Sequence, residues 1–168
     1  MMPNFLFVAL AALIPLAVGF VWYNPKIGFG NAWMKAAEIN EDKIKGANMI
    51  LIAGLTYLFS FFISAALLSI TIHQMGFYST LASEPGFLTD PNAEVTTYFN
   101  NFMATYGDRF RTFKHGALHG TIAGITLALP IVAINALLER RGFKYIAIHV
   151  GYWVISLALM GGVICQFA

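Results

Sequence analysis

Residues 46–73 read GANMILIAGLTYLFSFFISAALLSITIH, without one Asp, Glu, Lys or Arg. A helix needs about 20 consecutive apolar residues to cross the hydrocarbon core of a bilayer, and this stretch has room for a complete crossing. The same reading applies three more times. Residues 1–25, 115–138 and 145–168 are also uncharged, so all 10 basic and all 8 acidic side chains fall in the three gaps between them. In lipid every backbone polar group must be satisfied within the segment, which helices achieve. The pattern therefore predicts an all-α polytopic membrane protein. It is a single domain over 1–168 with four transmembrane helices in a bundle, at about 4–23, 48–73, 115–138 and 145–166, and an outer loop 74–114.

Composition agrees. The chain is 58% hydrophobic and 11% charged, where a soluble domain carries about 25% charged residues. A net charge of +2 is too small to imply nucleic acid, and no basic run reads as a lipid anchor. Cys165, the lone cysteine, cannot form an internal disulfide and reads as a small apolar residue in a span. Met1-Met2-Pro3-Asn4 lacks the basic start of a secretory leader. The apolar run continues into the interfacial pair Trp22-Tyr23, so it reads as a retained first span.

Local signals place the boundaries. Pro15 and Pro130 lie inside the first and third spans and predict kinks, and Asn24-Pro25 ends the first. Ala32-Trp33-Met34 suits the membrane surface. Asn40 is a good N-cap for a helix running on into the second span, with Ile39 and Ile44 at the spacing of a hydrophobic staple. In the second loop, Val95, Tyr98, Phe99, Phe102, Met103 and Tyr106 recur at the spacing of an amphipathic helix. Asp90 is its expected cap, Pro91 its first residue and Gly107 its end. Its apolar face is expected on the bilayer surface or the span ends, with a partner surface as the rival. Asp108 is the expected cap of the third helix. The short link Glu139-Arg140-Arg141-Gly142 makes the last two spans antiparallel neighbours. The first and third loops carry seven Lys and Arg, the second loop three. Basic residues favour the cytoplasmic side, so both termini and the long loop are expected outside and the short loops inside.

Three constellations stand out. Gly116, Gly120 and Gly124 form two overlapping G-x-x-x-G units, which let helix backbones approach closely. The seam is expected to be another span of the chain, with a homodimer as the alternative; Ala158 and Gly162 are candidate partners. His73, His115 and His119 fall at similar depth at one end, where three imidazoles can bind a transition metal or relay protons. A fourth ligand is missing, apart from Asp108 at best. The plainer expectation is three interfacial histidines satisfied by water, headgroups or carbonyls, with no cofactor implied. His149 falls on the opposite side. Asn135, a lone amide in the third span, is expected to point into the bundle. The spans hold no Asp, Glu, Lys or Arg, which argues against a conventional ion-coupled pump.

Two stretches carry a resemblance. One is Gly19-Phe20-Val21-Trp22-Tyr23-Asn24-Pro25 followed by Phe29-Gly30-Asn31-Ala32-Trp33-Met34-Lys35. The other is Asn135-Ala136-Leu137-Leu138-Glu139-Arg140-Arg141 followed by Gly151-Tyr152-Trp153 and Met160-Gly161-Gly162. Together they resemble a bacterial family of small four-helix membrane proteins known only as a domain of unknown function. The likeness covers nearly the whole chain apart from the second loop, which is longer than the family's usual form. It implies a four-span inner-membrane protein, supplies no catalytic residues, and directs attention to Trp22, Tyr23, Pro25, Phe29, Gly30 and Trp33. These lie on the same expected side as Asn135, Glu139 and Tyr145. The resulting expectation is a non-enzymatic scaffold, accessory subunit or small oligomer. Its partners are the bilayer and either further copies or another membrane protein reached through the second loop. The rivals are an oligomeric permease for small solutes or metals and, more remotely, a histidine-based intramembrane enzyme.

Overall fold

The computed structural model of the chain describes residues 3–168; Met1 and Met2, on which the leader-peptide reading partly rests, lie outside the described residues. Every regular element among them is helical. Four helices are apolar and long enough to cross a membrane: Phe5–Trp22, Met49–Thr71, Phe113–Leu138 and Phe143–Phe167. They are called spans one to four below.

Span four is the hub. Half of its apolar window is buried, against about a fifth for each of the others. Its Leu157, Met160 and Ile164 join Val8 and Ala11 of span one, Leu67 and Leu68 of span two and Ala123 of span three in one core. The outward faces stay apolar, with Ile50, Leu138 and Phe143 among the most exposed side chains, as helices bathed in lipid require.

The tightest contact is between spans three and four. A Cβ added to Gly116 would overlap the Gly161 carbonyl oxygen, and one on Gly120 the Leu157 carbonyl oxygen. One on Gly124 would stand 2.8 Å from Val154 Cα. The three glycines thus face the backbone of a neighbouring span, and the close approach is intramolecular. Opposite them stand Gly161 and the backbone at Leu157 and Ala158, while Gly162 faces the Phe113 ring instead.

The prolines act as helix restarts. Span one is two pieces, Phe5–Ala11 and Ile14–Trp22, with Pro15 in the first turn of the second, where a missing N–H leaves nothing unsatisfied. In span three a π-helical turn at Gly124–Ala128 precedes a helix from Leu129 with Pro130 in its first turn. Proline cannot bond back to the fourth preceding carbonyl, and local widening of the helix absorbs the loss.

Several expected boundaries move. Asn40 does cap a helix, its side chain accepting from Lys43 N, but that helix is only Glu41–Lys45. The chain breaks at 46–48, and Asn48 caps span two afresh by accepting from Leu51 N. The amphipathic helix begins at Glu94, not at Pro91. Asp90 spends its carboxylate on Asn92 N, an Asx turn that competes with a helix start. Gly107 does end that helix. Span three is capped by Thr112, which accepts from His115 N, not by Asp108. The Gln166 side chain accepts from Phe113 N, and Arg111 donates to the Ala168 carbonyl. The end of span four therefore decides where span three begins.

The second loop is also more folded than expected. After a single extended residue, Ile72, the chain resumes as helix His73–Leu81. The apolar face of Glu94–Tyr106 rests on that helix. Phe77 lies 4.0 Å from Phe102 and stacks on Phe99 at 5.8 Å, and Phe87 meets Phe99 edge-on at 5.1 Å. Phe99 is buried, while Tyr98 and Tyr106 stay exposed, so this face is covered within the chain only in part.

Candidate functional site

The two ends of the bundle carry different chemistry. At the short-loop end, residues 24–30 fold back over the end of span one. Phe29 N donates to the Trp22 carbonyl at 2.7 Å, and Gly28 N and Gly30 N converge on the Asn24 carbonyl. Space forces the glycines: a Cβ on Gly28 would overlap the Val21 carbonyl oxygen, and one on Gly30 the Tyr23 carbonyl oxygen. The Asn31 side-chain amide donates to the Pro25 carbonyl at 3.0 Å. This turn brings helix Gly30–Ala37 back beneath the span, with Phe29 against Trp22 at 4.6 Å and Trp33 edge-on to Tyr23 at 5.1 Å.

The same residues latch span one to span four. The Trp22 indole donates to the Ile148 carbonyl at 3.0 Å and lies over Gly151, where a Cβ would stand 2.8 Å from the ring. The Tyr23 hydroxyl bonds His149 Nδ1 at 3.0 Å, and the Tyr152 hydroxyl donates to the Pro15 carbonyl at 3.1 Å. Outside the bilayer span, Glu38 and Arg141 pair at 2.9 Å and tie the first loop to the third.

Spans one and two do not close over this latch. Between them lies a crevice of about 1170 Å³. Its depth is apolar, with Leu16 and Phe20 facing Ile52 and Phe59. Its loop end is polar: Tyr23, Asn24, Asn31, Lys43, Lys45 and His149 all reach it. His149 Nε2 is buried there with no hydrogen-bond partner.

Of the residues singled out in the sequence, Tyr23, Pro25 and Trp33 line the crevice, while Trp22, Phe29 and Gly30 build its roof. Asn135 does not belong. It is exposed on the outer side of span three, because the neighbouring Ala136 takes the fully buried position there. The expectation that it points into the bundle is corrected accordingly. Sequence reasoning placed His149 on the opposite side from the other histidines and quoted Tyr152 within the resemblance, but gave neither a role in a site. The signal lay in Gly151-Tyr152-Trp153, an aromatic pair beside a glycine wide enough for an indole.

At the other end the three histidines meet. His73 follows span two, His115 and His119 sit one turn apart near the start of span three, and their ring centroids lie 4.5–5.0 Å apart. His73 Nε2 and His115 Nε2 are 2.9 Å apart. Asp108 is not among the grouped ligands. Beside them is a smaller cavity of about 300 Å³, lined by His73, Gln74, Phe102, Tyr106, Arg109 and Phe110. Gln74 was not singled out in the sequence. Its amide nitrogen donates to the Tyr106 and Arg109 carbonyls, both at 2.9 Å, and holds the long loop on the bundle.

No match was found among curated proteins or among solved structures. A family described as "Protein of unknown function (DUF1761)" matches residues 6–165. The match takes in all but the ends of the four apolar helices, together with the aromatic latch, the crevice and the histidine cluster. The chain, a membrane protein by its four spans, belongs to the DUF1761 family of proteins of unknown function.

Proposed function

We propose that the protein is a non-enzymatic subunit of a bacterial inner membrane that holds one acidic phospholipid in the crevice between spans one and two. The observation that carries this reading is the shape and chemistry of that crevice. Small-molecule pockets usually enclose about 300–1,000 Å³; a space of about 1170 Å³ suits an acyl chain. The apolar walls along Leu16, Phe20, Ile52 and Phe59 would take the chain. Lys43 and Lys45, beside Asn31 and the Tyr23–His149 pair, would face the headgroup, where a Lys near an anionic leaflet is worth about 1 kcal/mol. A lipid seated there would join the first loop to the bundle, which fits a scaffold or accessory role. The seven basic residues of the first and third loops support a cytoplasmic location for the crevice end, with both termini in the periplasm.

Two measurements test this. Protein purified from native membranes in mild detergent is expected to retain acidic phospholipid above its share of the bulk membrane. Ala53→Trp, which fills the crevice from span two, is expected to abolish the enrichment. Lipid in bulk proportion, or enrichment unchanged by Ala53→Trp, overturns the reading. Orientation is tested by impermeant thiol labelling of intact cells in a Cys165→Ser background. Thr89→Cys is expected to label and Lys43→Cys to stay protected; the reverse result inverts the topology.

A further inference from the structure

We propose that His73, His115 and His119 form a transition-metal site whose open position faces the cavity beside Gln74. This site lies at the opposite end of the bundle from the crevice and does not depend on the lipid reading.

The geometry comes first. One ligand nitrogen from each ring lies within 4.8 Å of the other two. Zinc, at Zn–N of about 2.0–2.1 Å in a tetrahedral site, sets its nitrogens about 3.3 Å apart. The His73–His115 separation of 2.9 Å lies inside that value, and none of the three separations exceeds 4.8 Å. Side-chain rotations that bring these atoms toward about 3.3 Å would set all three rings around one ion. In the metal-free arrangement one of the two close nitrogens must donate a proton to the other. In the metal-bound arrangement both rings carry their proton on Nδ1 and turn the Nε2 lone pairs to the ion. Protons compete for the same lone pairs, so occupancy falls as pH is lowered.

A second, independent feature points to a ligand. Gln74 is buried, at 5% exposure, and both hydrogens of its amide nitrogen are used on the Tyr106 and Arg109 carbonyls. Only the NH₂ group can donate to a carbonyl, so the amide orientation is settled. That leaves Oε1 buried with no partner. A buried acceptor without a donor costs about 1–3 kcal/mol, and Gln74 lines the cavity into which His73 opens. A water at the ion's fourth position would lie toward the cavity that His73 and Gln74 both line. Three histidines plus a water is the donor set of an open zinc site rather than a closed structural one.

The surroundings are built for the cluster. Phe110 stacks on His115 at 5.0 Å and meets His73 edge-on at 6.0 Å. It does so from a left-handed backbone, φ 65°, which is unfavourable for a bulky residue. The Thr112 amide donates to its carbonyl, and the Cys165 thiol stands 3.3 Å from this carbonyl and from that of Thr71, with one hydrogen to give to either. With no carboxylate or thiolate among the donors, the set suits zinc or copper rather than magnesium or calcium.

The test uses the full chain in mild detergent, stripped with a chelator and then titrated with Zn²⁺ and Cu²⁺ by calorimetry. Metal retained after desalting is counted by elemental analysis. The expected result is about one ion per chain. His73→Gln, His115→Gln and His119→Gln should each weaken binding by at least about tenfold, since disturbing even the groups that orient such ligands costs roughly 10–100-fold. Because any one variant can fold poorly, the Cu²⁺ form of the unaltered protein is also examined by electron paramagnetic resonance, where coupling to imidazole nitrogens is expected. No retained ion, equal binding in all three variants, or a copper spectrum without nitrogen coupling overturns the proposal.

Discussion

Spans three and four meet backbone to backbone, whereas spans one and two share the core at Val8, Ala11, Leu67 and Leu68 and part toward the short-loop end around a crevice of about 1170 Å³. Glycine makes the close approach in the first of these. Gly116, Gly120 and Gly124 each remove a side chain that the partner helix would strike, and the gain is dispersion along a continuous seam. Gly54 of span two has nothing within 4 Å of where its Cβ would be. In lipid there is no hydrophobic force between helices, so a seam forms only where shape allows it. In the open pair, spans one and two share the core at one end, while at the other the aromatic latch draws span one onto span four and leaves the gap beside span two.

The largest effect should come from breaking the closed pair. Gly120→Leu places a branched side chain against the Leu157 carbonyl and the Ala158 backbone. Neither neighbour is a flexible tip that can swing aside. Overpacking costs about 1–3 kcal/mol in ordinary cores, and this site belongs at or above the top of that range. Gly54→Leu should cost almost nothing. Thermal midpoints in one detergent compare the two directly, and equal shifts would end the claim that spans three and four are held by a close backbone seam.

A middle-sized effect should come from the latch. Trp22→Phe keeps an aromatic ring near Gly151 but removes the donor to the Ile148 carbonyl. A net loss of about 0.5–1.5 kcal/mol is expected for the hydrogen bond, with more if the smaller ring packs loosely. If spans one and two owed their placement to contact with each other, Trp22→Phe would leave the stability unchanged. Ala53→Trp, which adds to that contact, would then raise it.

The closed pair was legible in the residues and the open one was not. Glycines four apart announce a seam, because the physical need, a missing side chain, is written in residue type. A crevice is a gap between two helices that each look ordinary, and no residue type encodes the distance between them. Boundaries failed for a related reason. Asp108 and Thr112 are both sound caps. The choice falls to Thr112 because Gln166 and Ala168, more than fifty positions away, engage Phe113 and Arg111. The histidines were visible as three residues at one depth, but Gln74 was not. Its role rests on the loop carbonyls at Tyr106 and Arg109 that it grips.

The smallest effect concerns the outward face of the closed pair. Asn135 is exposed on span three and lies one turn from the end of the helix at Leu138. A lone amide in the hydrocarbon would need a partner, but so near the span's end water and headgroups can supply one. Asn135→Leu is therefore expected to change stability by less than about 0.5 kcal/mol, the usual range for surface positions. In a chain of this size that is a shift of about 1–2 °C in the thermal midpoint. The oligomeric state in detergent, measured by native mass spectrometry, should also be unchanged. A dimer that dissociates on Asn135→Leu would give the closed pair a second seam. Span three would then pack through its glycines within the chain and through its amide between chains.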